Sequence, residues 1–307
     1  MPDTVAADVR RGLTATPREL SPKLLYDARG SELFDRITTL PEYYPTRCER
    51  SILNRYATHI CLGMRELVEL GSGTASKTRA LLYAMAAAGE LERYVPFDVD
   101  ESVVARCANE LTELYPGLLV HGVVGDFERD LVQIPAGKRR IVALLGGTIG
   151  NLHPPERAAF LARLRGLLRA EDRLVLGTDL VKGRAELLAA YDDGLGVTAE
   201  FNRNVLRVLN RSLGANFDPD AFEHVARYDV ENSWIEMCLR ARSPQRVSIP
   251  DAELELELAA GDELRTEIST KFTRERIETE LADAGLELIE LFTDEDARFA
   301  LSVAAPR

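Results

Sequence analysis

The chain has 307 residues, a formal net charge of −12 and a sequence pI near 5.0. At about 150 residues per domain, this length predicts two domains or one large domain with an insertion. The acidic excess argues against broad contacts with nucleic-acid phosphates and against docking on anionic membranes, so we expect neither partner.

The N-terminal part of the chain predicts helices. Helical stretches are expected over 5–13 and 24–40, and the segment Pro41–Pro45 ends the second of them. Thr46 has the character of an N-cap residue, because acidic Glu49 follows it by three positions. A third helix is therefore expected from Thr46 to about residue 61.

Short apolar runs then alternate with helical segments. Strands are predicted over 67–70, 94–99, 118–124, 140–146 and 173–179, and helices over 77–88, 101–114 and 154–168. This alternation is typical of βαβ units and indicates a parallel sheet.

The alternation ends after Asp179. Helices are predicted over 183–192, 197–213 and 274–285, and strands over 234–243, 247–258, 263–272, 286–292 and 299–303. We therefore expect a doubly wound α/β domain from 46–181 plus 271–307 and a second, inserted α+β domain from 1–45 plus 182–270. A ligand site is expected at their junction.

A glycine-rich turn follows the first predicted strand. In the segment Glu69–Thr74, Gly71 and Gly73 allow a ligand to approach the backbone closely. A dinucleotide fingerprint needs a third glycine at position 76, where this chain has Ser76, so the pattern disfavours a nicotinamide-dependent oxidoreductase. An acidic residue before Gly-x-Gly is the usual form in methyltransferases that use S-adenosylmethionine (SAM). The alternative is an ordinary strand-to-helix turn.

Three further segments follow the next strands, at the edge where open α/β sheets bind ligands. Asp98 can accept hydrogen bonds from both ribose hydroxyls, and Asp126 with Phe127 offers adenine an acceptor and an apolar face. The segment Gly146–Asn151 contains three glycines, which indicate close approach of a ligand to the backbone. Each could be an ordinary cap, turn or core residue, but together they predict a SAM site.

These motifs resemble those of the L-histidine Nα-methyltransferases of ergothioneine biosynthesis, and the resemblance covers nearly the whole chain. Besides the glycine turn, it rests on the segments 26–34, 40–47, 96–100, 125–127, 146–152, 176–182, 190–193, 201–204, 222–224 and 267–272. It implies a Rossmann-like class I SAM methyltransferase sheet with an inserted substrate-binding domain. It also implies three methyl transfers to the α-amino group of L-histidine, giving Nα,Nα,Nα-trimethylhistidine (hercynine).

The resemblance also implies roles for individual residues. The residues that would bind SAM are Gly71, Lys77, Asp98, Asp126 and Phe127. The residues that would line the histidine site are Tyr43, Asn151, Tyr191, Met237, Glu267 and Ser269, with Asn151 and Tyr191 on the carboxylate. Tyr26 and Phe34 would lie near the reacting amino group as the catalytic residues, where an aromatic face favours the growing quaternary ammonium.

The amino group must lose a proton before it can attack, because it is mostly protonated at neutral pH. No nucleophile motif is visible, and methyl transfer needs none: the site has only to align acceptor, methyl and sulfur. We hypothesise that the proton leaves through Tyr26 or an ordered water, without a dedicated strong base.

The pair Glu267 and Ser269 bears on the choice of substrate. Residues two apart on a strand face the same side, and a carboxylate with a hydroxyl matches the two ring nitrogens of an imidazole. An indole has no second nitrogen, so the pair favours histidine over tryptophan or tyrosine. The alternatives are a methyltransferase for another aromatic amino acid, a non-catalytic SAM-binding module, and a solvated strand face at these two positions.

Cysteine and histidine usage points to no metal or disulfide. The four cysteines form no CxxC pair, and the four histidines form no HExxH or HxH motif. We therefore expect reduced thiols and no metal cofactor. Because neither a signal peptide nor a run of about 20 apolar residues is visible, we expect a cytoplasmic protein. We also expect it to be a monomer that acts on free L-histidine.

Overall fold

A computed structural model describes residues 2–73 and 75–307, with side chains from residue 5 onward. Met1 and Thr74, the last residue of the predicted glycine motif, lie outside the described residues.

The α-helices of the described residues are numbered in chain order. They are α1 Pro2–Thr14, α2 Ala28–Thr38, α3 Pro45–Ile60, α4 Arg79–Ala87, α5 Glu101–Leu114, α6 Pro154–Leu167, α7 Arg184–Tyr191, α8 Val197–Leu213 and α9 Arg274–Asp283. Short 3-10 helices lie at Pro22–Leu25, Leu131–Gln133, Thr148–Asn151, Pro219–Ala221 and Pro250–Ala252. Within the described residues, no helix is long and apolar enough to cross a membrane.

The strands of the described residues are numbered in the same way. They are β1 Glu66–Leu70, β2 Arg93–Asp98, β3 Leu119–Val120, β4 Val123–Val124, β5 Arg140–Leu144, β6 Arg173–Asp179, β7 Phe222–Asp229, β8 Trp234–Ala241, β9 Gln245–Ile249, β10 Leu254–Leu258, β11 Glu263–Thr270, β12 Leu286–Thr293 and β13 Phe299–Pro306.

The chain divides into two compact units. The sheet unit comprises 45–181 and 271–307, and the cap unit comprises 1–44 and 182–270. We predict that the sheet unit binds SAM and that the cap unit binds the substrate.

The sheet unit is built on one mixed sheet in the order β12-β13-β6-β5-β1-β2-β3, with β4 also paired to β2. The strands from β6 to β3 run parallel, and β13 runs antiparallel to both β6 and β12. The central strands are buried along their length, and residues such as Val68, Val142 and Leu174 pack with Phe160 of α6 in the core. Burying each such side chain contributes about 1.5–3 kcal/mol.

The cap unit combines helices with two small antiparallel sheets. One sheet has the order β11-β8-β7, and the other is the β9-β10 hairpin. Helix α8 has an apolar face formed by Val205, Leu206, Leu209 and Leu213, all buried. This unit therefore has a hydrophobic core of its own.

Several predicted elements are wrong in detail. The strand predicted over 247–258 is two strands, because Pro250 cannot donate to a ladder and Glu253 adopts a left-handed φ of 48°. The strand predicted over 118–124 is interrupted at Gly122, where a Cβ would lie only 2.4 Å from Val104 of α5. The strand β7 was not predicted.

Two predicted helices also differ in their starts. Thr46 lies inside α3 and is not its N-cap, because the helix begins at Pro45. The stretch predicted over 24–40 is divided by Asp27, whose Oδ1 accepts a hydrogen bond from Gly30 N at 2.7 Å and caps α2. This cap sets Tyr26 immediately before a new helix.

Candidate functional site

The glycine turn after β1 is fixed to the end of β2 by backbone hydrogen bonds. Gly71 N and Ser72 N both donate to Phe97 O, at 2.8 and 3.1 Å. Gly71 and Gly73 have φ values of 74° and 48°, in the left-handed region that favours glycine. The Ser72 hydroxyl is buried and has no hydrogen-bond partner among the described residues. The turn therefore places the Ser72 hydroxyl between two glycines whose backbone is not covered by side chains of their own.

Asp98 lies at the carboxyl end of β2 and holds this turn. Its Oδ2 accepts from Gly73 N at 2.9 Å, and its Oδ1 accepts from Asp100 N at 3.2 Å. A carboxylate offers about four acceptor positions, so each oxygen retains capacity for a further donor. A ribose diol presents two such donors.

Phe127 lies beside the same turn. The ring is 3.8 Å from where a Cβ on Gly71 would stand, and its centroid is 5.6 Å from that of Phe160 in the core. Asp126 is partly buried, and its Oδ1 accepts from Glu128 N at 2.9 Å. A flat apolar face thus adjoins the glycine turn, and the Asp126 carboxylate precedes Phe127 in the chain.

A buried ion pair connects Lys77 to the glycine loop after β5. Glu49 of α3 has a fully buried side chain; its Oε2 accepts from Lys77 Nζ at 2.7 Å and its Oε1 accepts from Gly146 N at 2.7 Å. Sequence reasoning missed Glu49. The sequence does contain a signal for it: Ile52 and Leu53 follow Glu49 by three and four residues, so this carboxylate lies on the apolar face of the helix.

Glu69, the acidic residue of the glycine motif, is only 4% exposed. It accepts hydrogen bonds from the hydroxyls of Thr78 and Tyr94, the latter at 2.5 Å. Burial raises the pKa of this carboxyl to about 7, although both hydrogen bonds and the charge of Lys77 oppose the shift. Glu69 therefore anchors the strand–helix junction from inside the fold.

These groups fit SAM. The fit rests on the Ser72 hydroxyl, which has no partner among the described residues, the spare acceptor positions on Asp98, the ring of Phe127 and the partly exposed side chain of Lys77. Within residues 2–73 and 75–307, no cluster of three or more His, Cys, Asp or Glu residues is arranged to hold a metal ion.

In the cap unit, strand β11 buries the two residues predicted to bind an imidazole. Glu267 is 8% exposed and Ser269 is 6% exposed, so a solvated strand face is wrong. The register against β8 shifts between Arg265 and Glu267, and this bulge ends the alternation of half-exposed and buried residues. Met237 lies directly opposite Glu267 on β8, as expected for a residue lining the same place.

The other predicted cap-unit residues gather around this strand. Tyr191, the last residue of α7, shares a 2.7 Å hydrogen bond between its hydroxyl and Ser269 Oγ. Tyr26 contacts Phe34 edge-on at 5.4 Å between ring centroids, and Phe34 contacts Tyr43 edge-on at 6.0 Å. Phe201 of α8, which was not predicted as a site residue, lies within 5.9 Å of both Tyr26 and Phe34.

The phenol of Tyr26 has a strongly shifted pKa. Its pKa is raised well above 10, first by burial and then by charge interactions with Glu267 and with the phenol groups of Tyr43 and Tyr191. Four of the predicted site residues, Tyr26, Tyr43, Tyr191 and Glu267, are therefore close enough for their charges to interact. The raised pKa also means that the Tyr26 phenol stays protonated at neutral pH. Asn151, also predicted to bind the substrate, belongs to the sheet unit, where it ends the 3-10 helix Thr148–Asn151.

The fold and the glycine-turn geometry define a Rossmann-like, class I SAM-dependent methyltransferase, as the sequence predicted. A solved SAM-dependent methyltransferase from Clostridium acetobutylicum superposes with a TM-score of 0.52 over 90% of this chain and 98% of that one, at 11% identity. That likeness supports the fold alone.

The family is given by sequence. Residues 5–306 match the family described as histidine-specific methyltransferase, SAM-dependent, and the chain belongs to it. The histidine N-alpha-methyltransferase of Mycobacterium tuberculosis is 52% identical over 300 residues, which are 97% of this chain and 94% of that protein. Ergothioneine biosynthesis protein 1 of Neurospora crassa is 30% identical over 298 residues, covering 90% of this chain and 32% of that protein.

Proposed function

We propose that this protein transfers three methyl groups in succession from SAM to the α-amino group of L-histidine, giving trimethylhistidine for ergothioneine biosynthesis and releasing S-adenosylhomocysteine. Membership of the histidine-specific family and the 52% identical relative support the substrate. The single structural observation that carries the proposal is the buried pair Glu267 and Ser269 on one strand.

The sheet unit would bind SAM, which supplies an electrophilic methyl group on a sulfonium. Asp98 would accept hydrogen bonds from the ribose hydroxyls with its free acceptor positions. Phe127 would stack on the adenine, and Asp126 would accept from its exocyclic amine. Gly71 would leave room for the nucleoside against the backbone, and Lys77, held by Glu49, would pair with the carboxylate of the methionine part.

The cap unit would bind histidine. Glu267 would accept from one imidazole N–H and Ser269 would pair with the second ring nitrogen, whereas an indole has a single nitrogen and could pair with only one of these two groups. Tyr191 would hydrogen-bond the substrate carboxylate, together with Asn151 of the sheet unit. Met237 and Tyr43 would supply apolar and aromatic walls.

Tyr26 and Phe34 would act on the amino group. Because the pKa of Tyr26 is raised, its phenol cannot serve as a phenolate base at neutral pH. It would accept an N–H hydrogen bond and pass the departing proton onward, directly or through water, as its own proton moves. The aromatic rings of Tyr26 and Phe34, whose centroids are 5.4 Å apart, would favour the cation that grows with each methyl group.

The assay is kcat/KM for histidine, tryptophan and tyrosine at saturating SAM, with Glu267→Gln and Ser269→Ala. Each variant should lower kcat/KM for histidine about 10- to 100-fold, because each removes a buried hydrogen bond, one of them to a charged group. The exposed strand residue Glu257, changed to Gln, is the matched control. Equal kcat/KM for the three amino acids in the parent protein would contradict histidine specificity.

We further propose that the enzyme needs no metal, acts as a monomer and works in the cytoplasm. Turnover that survives extensive chelation, and a native mass equal to one chain, are the expected results.

A further inference from the structure

Two of the segments on which the family resemblance rests, 201–204 and 222–224, are given no role in the reaction proposed above. Phe201 joins the ring cluster, but the neighbouring Asn202 is fully buried and polar, and His224 of β7 has a side chain only 2% exposed. Burying such groups is unfavourable unless they are hydrogen-bonded, so their partners indicate what they do.

Asn202 fixes the tautomer of His224. The Nδ2 group of Asn202 donates to Cys238 O at 3.1 Å and lies 2.9 Å from His224 Nδ1. Because that nitrogen carries hydrogens, the ring Nδ1 accepts and the ring proton resides on Nε2. Burial lowers the pKa of His224, against the pull of Asp192, so the ring is neutral at pH 7.

His224 in turn fixes Tyr191. The Nε2–H group donates to Tyr191 O at 2.9 Å. Tyr191 is the last residue of α7, and the carbonyls of the last helical turn point beyond the helix, where they can accept from other groups. The hydroxyl of the same tyrosine meets Ser269 Oγ at 2.7 Å. Tyr191 is therefore held at its backbone carbonyl by His224 and at its hydroxyl by Ser269.

We propose that Asn202 and His224 are positioning residues for histidine binding: their hydrogen-bond chain holds Tyr191 where its hydroxyl meets Ser269 and the substrate carboxylate. This inference rests on the proposed function and deepens it. Neither residue touches substrate, so the effect falls on the affinity for histidine and leaves SAM binding unchanged.

The experiment measures KM for histidine and for SAM, and the melting temperature, in His224→Phe, His224→Gln and Asn202→Ala. His224→Phe removes both hydrogen bonds of the ring and should raise KM for histidine about tenfold, with KM for SAM within twofold of the parent value. Glutamine can still donate to Tyr191 O, so His224→Gln should restore most of the affinity. Asn202→Ala leaves the ring in place without its donor and should raise KM for histidine at least about threefold.

The control is Asn210→Ala on the same helix, whose Nδ2 donates to Phe217 O at 2.7 Å, in the loop that follows α8. It should leave both KM values unchanged. Unchanged KM for histidine in His224→Phe, or in Asn202→Ala should the phenylalanine variant not fold, would overturn the inference. Equal increases in both KM values would also do so, since they would indicate general damage. If the parent protein does not methylate histidine, the proposed function itself fails.

Discussion

The buried carboxyl of Glu69 makes the stability of the sheet unit depend on pH in an unusual direction. Its pKa is about 7 in the folded protein, against 4.5 for an ordinary glutamate. A folded pKa above the unfolded one gives stability that is fully present below pH 4.5 and is lost as pH rises through 7. At about 1.4 kcal/mol per pKa unit, the shift corresponds to a loss of about 3 kcal/mol between pH 4.5 and pH 8.

The variant Glu69→Gln removes this titration. A glutamine amide can donate to one hydroxyl and accept from the other, so the contacts with Thr78 and Tyr94 can be kept. We expect the free energy of unfolding of Glu69→Gln to fall less between pH 5 and pH 8 than that of the parent. The difference should reach about 2–3 kcal/mol and favour the variant most at the alkaline end.

The measurement is urea denaturation at pH 5, 6, 7 and 8, with a probe of the sheet unit. Glu110→Gln, which removes an exposed carboxylate paired with Arg79 in the same unit, is the control for a change of net charge. Its pH dependence should match that of the parent. A Glu69→Gln profile parallel to the parent profile would refute the reasoning, because it would mean that Glu69 titrates normally in the folded state.

Three further predictions concern other parts of the molecule. Asp98→Asn should weaken binding of S-adenosylhomocysteine about 10- to 100-fold in calorimetry, because a neutral amide replaces the charged acceptor; unchanged affinity would remove Asp98 from the proposed SAM site. Arg140→Ala should lower the free energy of unfolding by about 3–5 kcal/mol, because Asp172, 2.8 Å away and also buried, would lose its counter-ion; a loss below about 1 kcal/mol would contradict this. All four cysteines are buried thiols outside any disulfide, and burial raises the pKa of Cys61 and Cys238 to about 12. A thiol reagent should therefore react with none of them in minutes at pH 8 but with four after denaturation, and fast labelling of the native protein would contradict the burial.

Much of the fold is predictable because local signals agree with the tertiary structure. The predicted bounds of α5, β6 and α8 match the observed ones. For α5 the reason is visible: Asp100, just before the helix, is a residue type that favours the N-cap, and its Oδ1 accepts from Ser102 N at 2.8 Å. Strand β7 was missed because its residues are mostly half-buried and show no clear period of two.

The parts of the site that could not be predicted depend on contacts distant in sequence. Glu49 meets Lys77 and Gly146, which are 28 and 97 residues away. Before the bulge that follows Arg265, half-exposed and buried residues alternate along β11, and after it all residues are buried. No residue type in that segment predicts this change. The anchor from His224 to Tyr191 spans 33 residues and two elements. Residue type and spacing alone predict none of these pairings.

The most direct test of the central claim is mass spectrometry of L-histidine incubated with the protein and methyl-deuterated SAM. We predict successive products carrying one, two and three labelled methyl groups, with fragmentation placing all of them on the α-nitrogen and three equivalents of S-adenosylhomocysteine formed per trimethylated product. Label on an imidazole nitrogen, or no labelled histidine at all, would contradict the account.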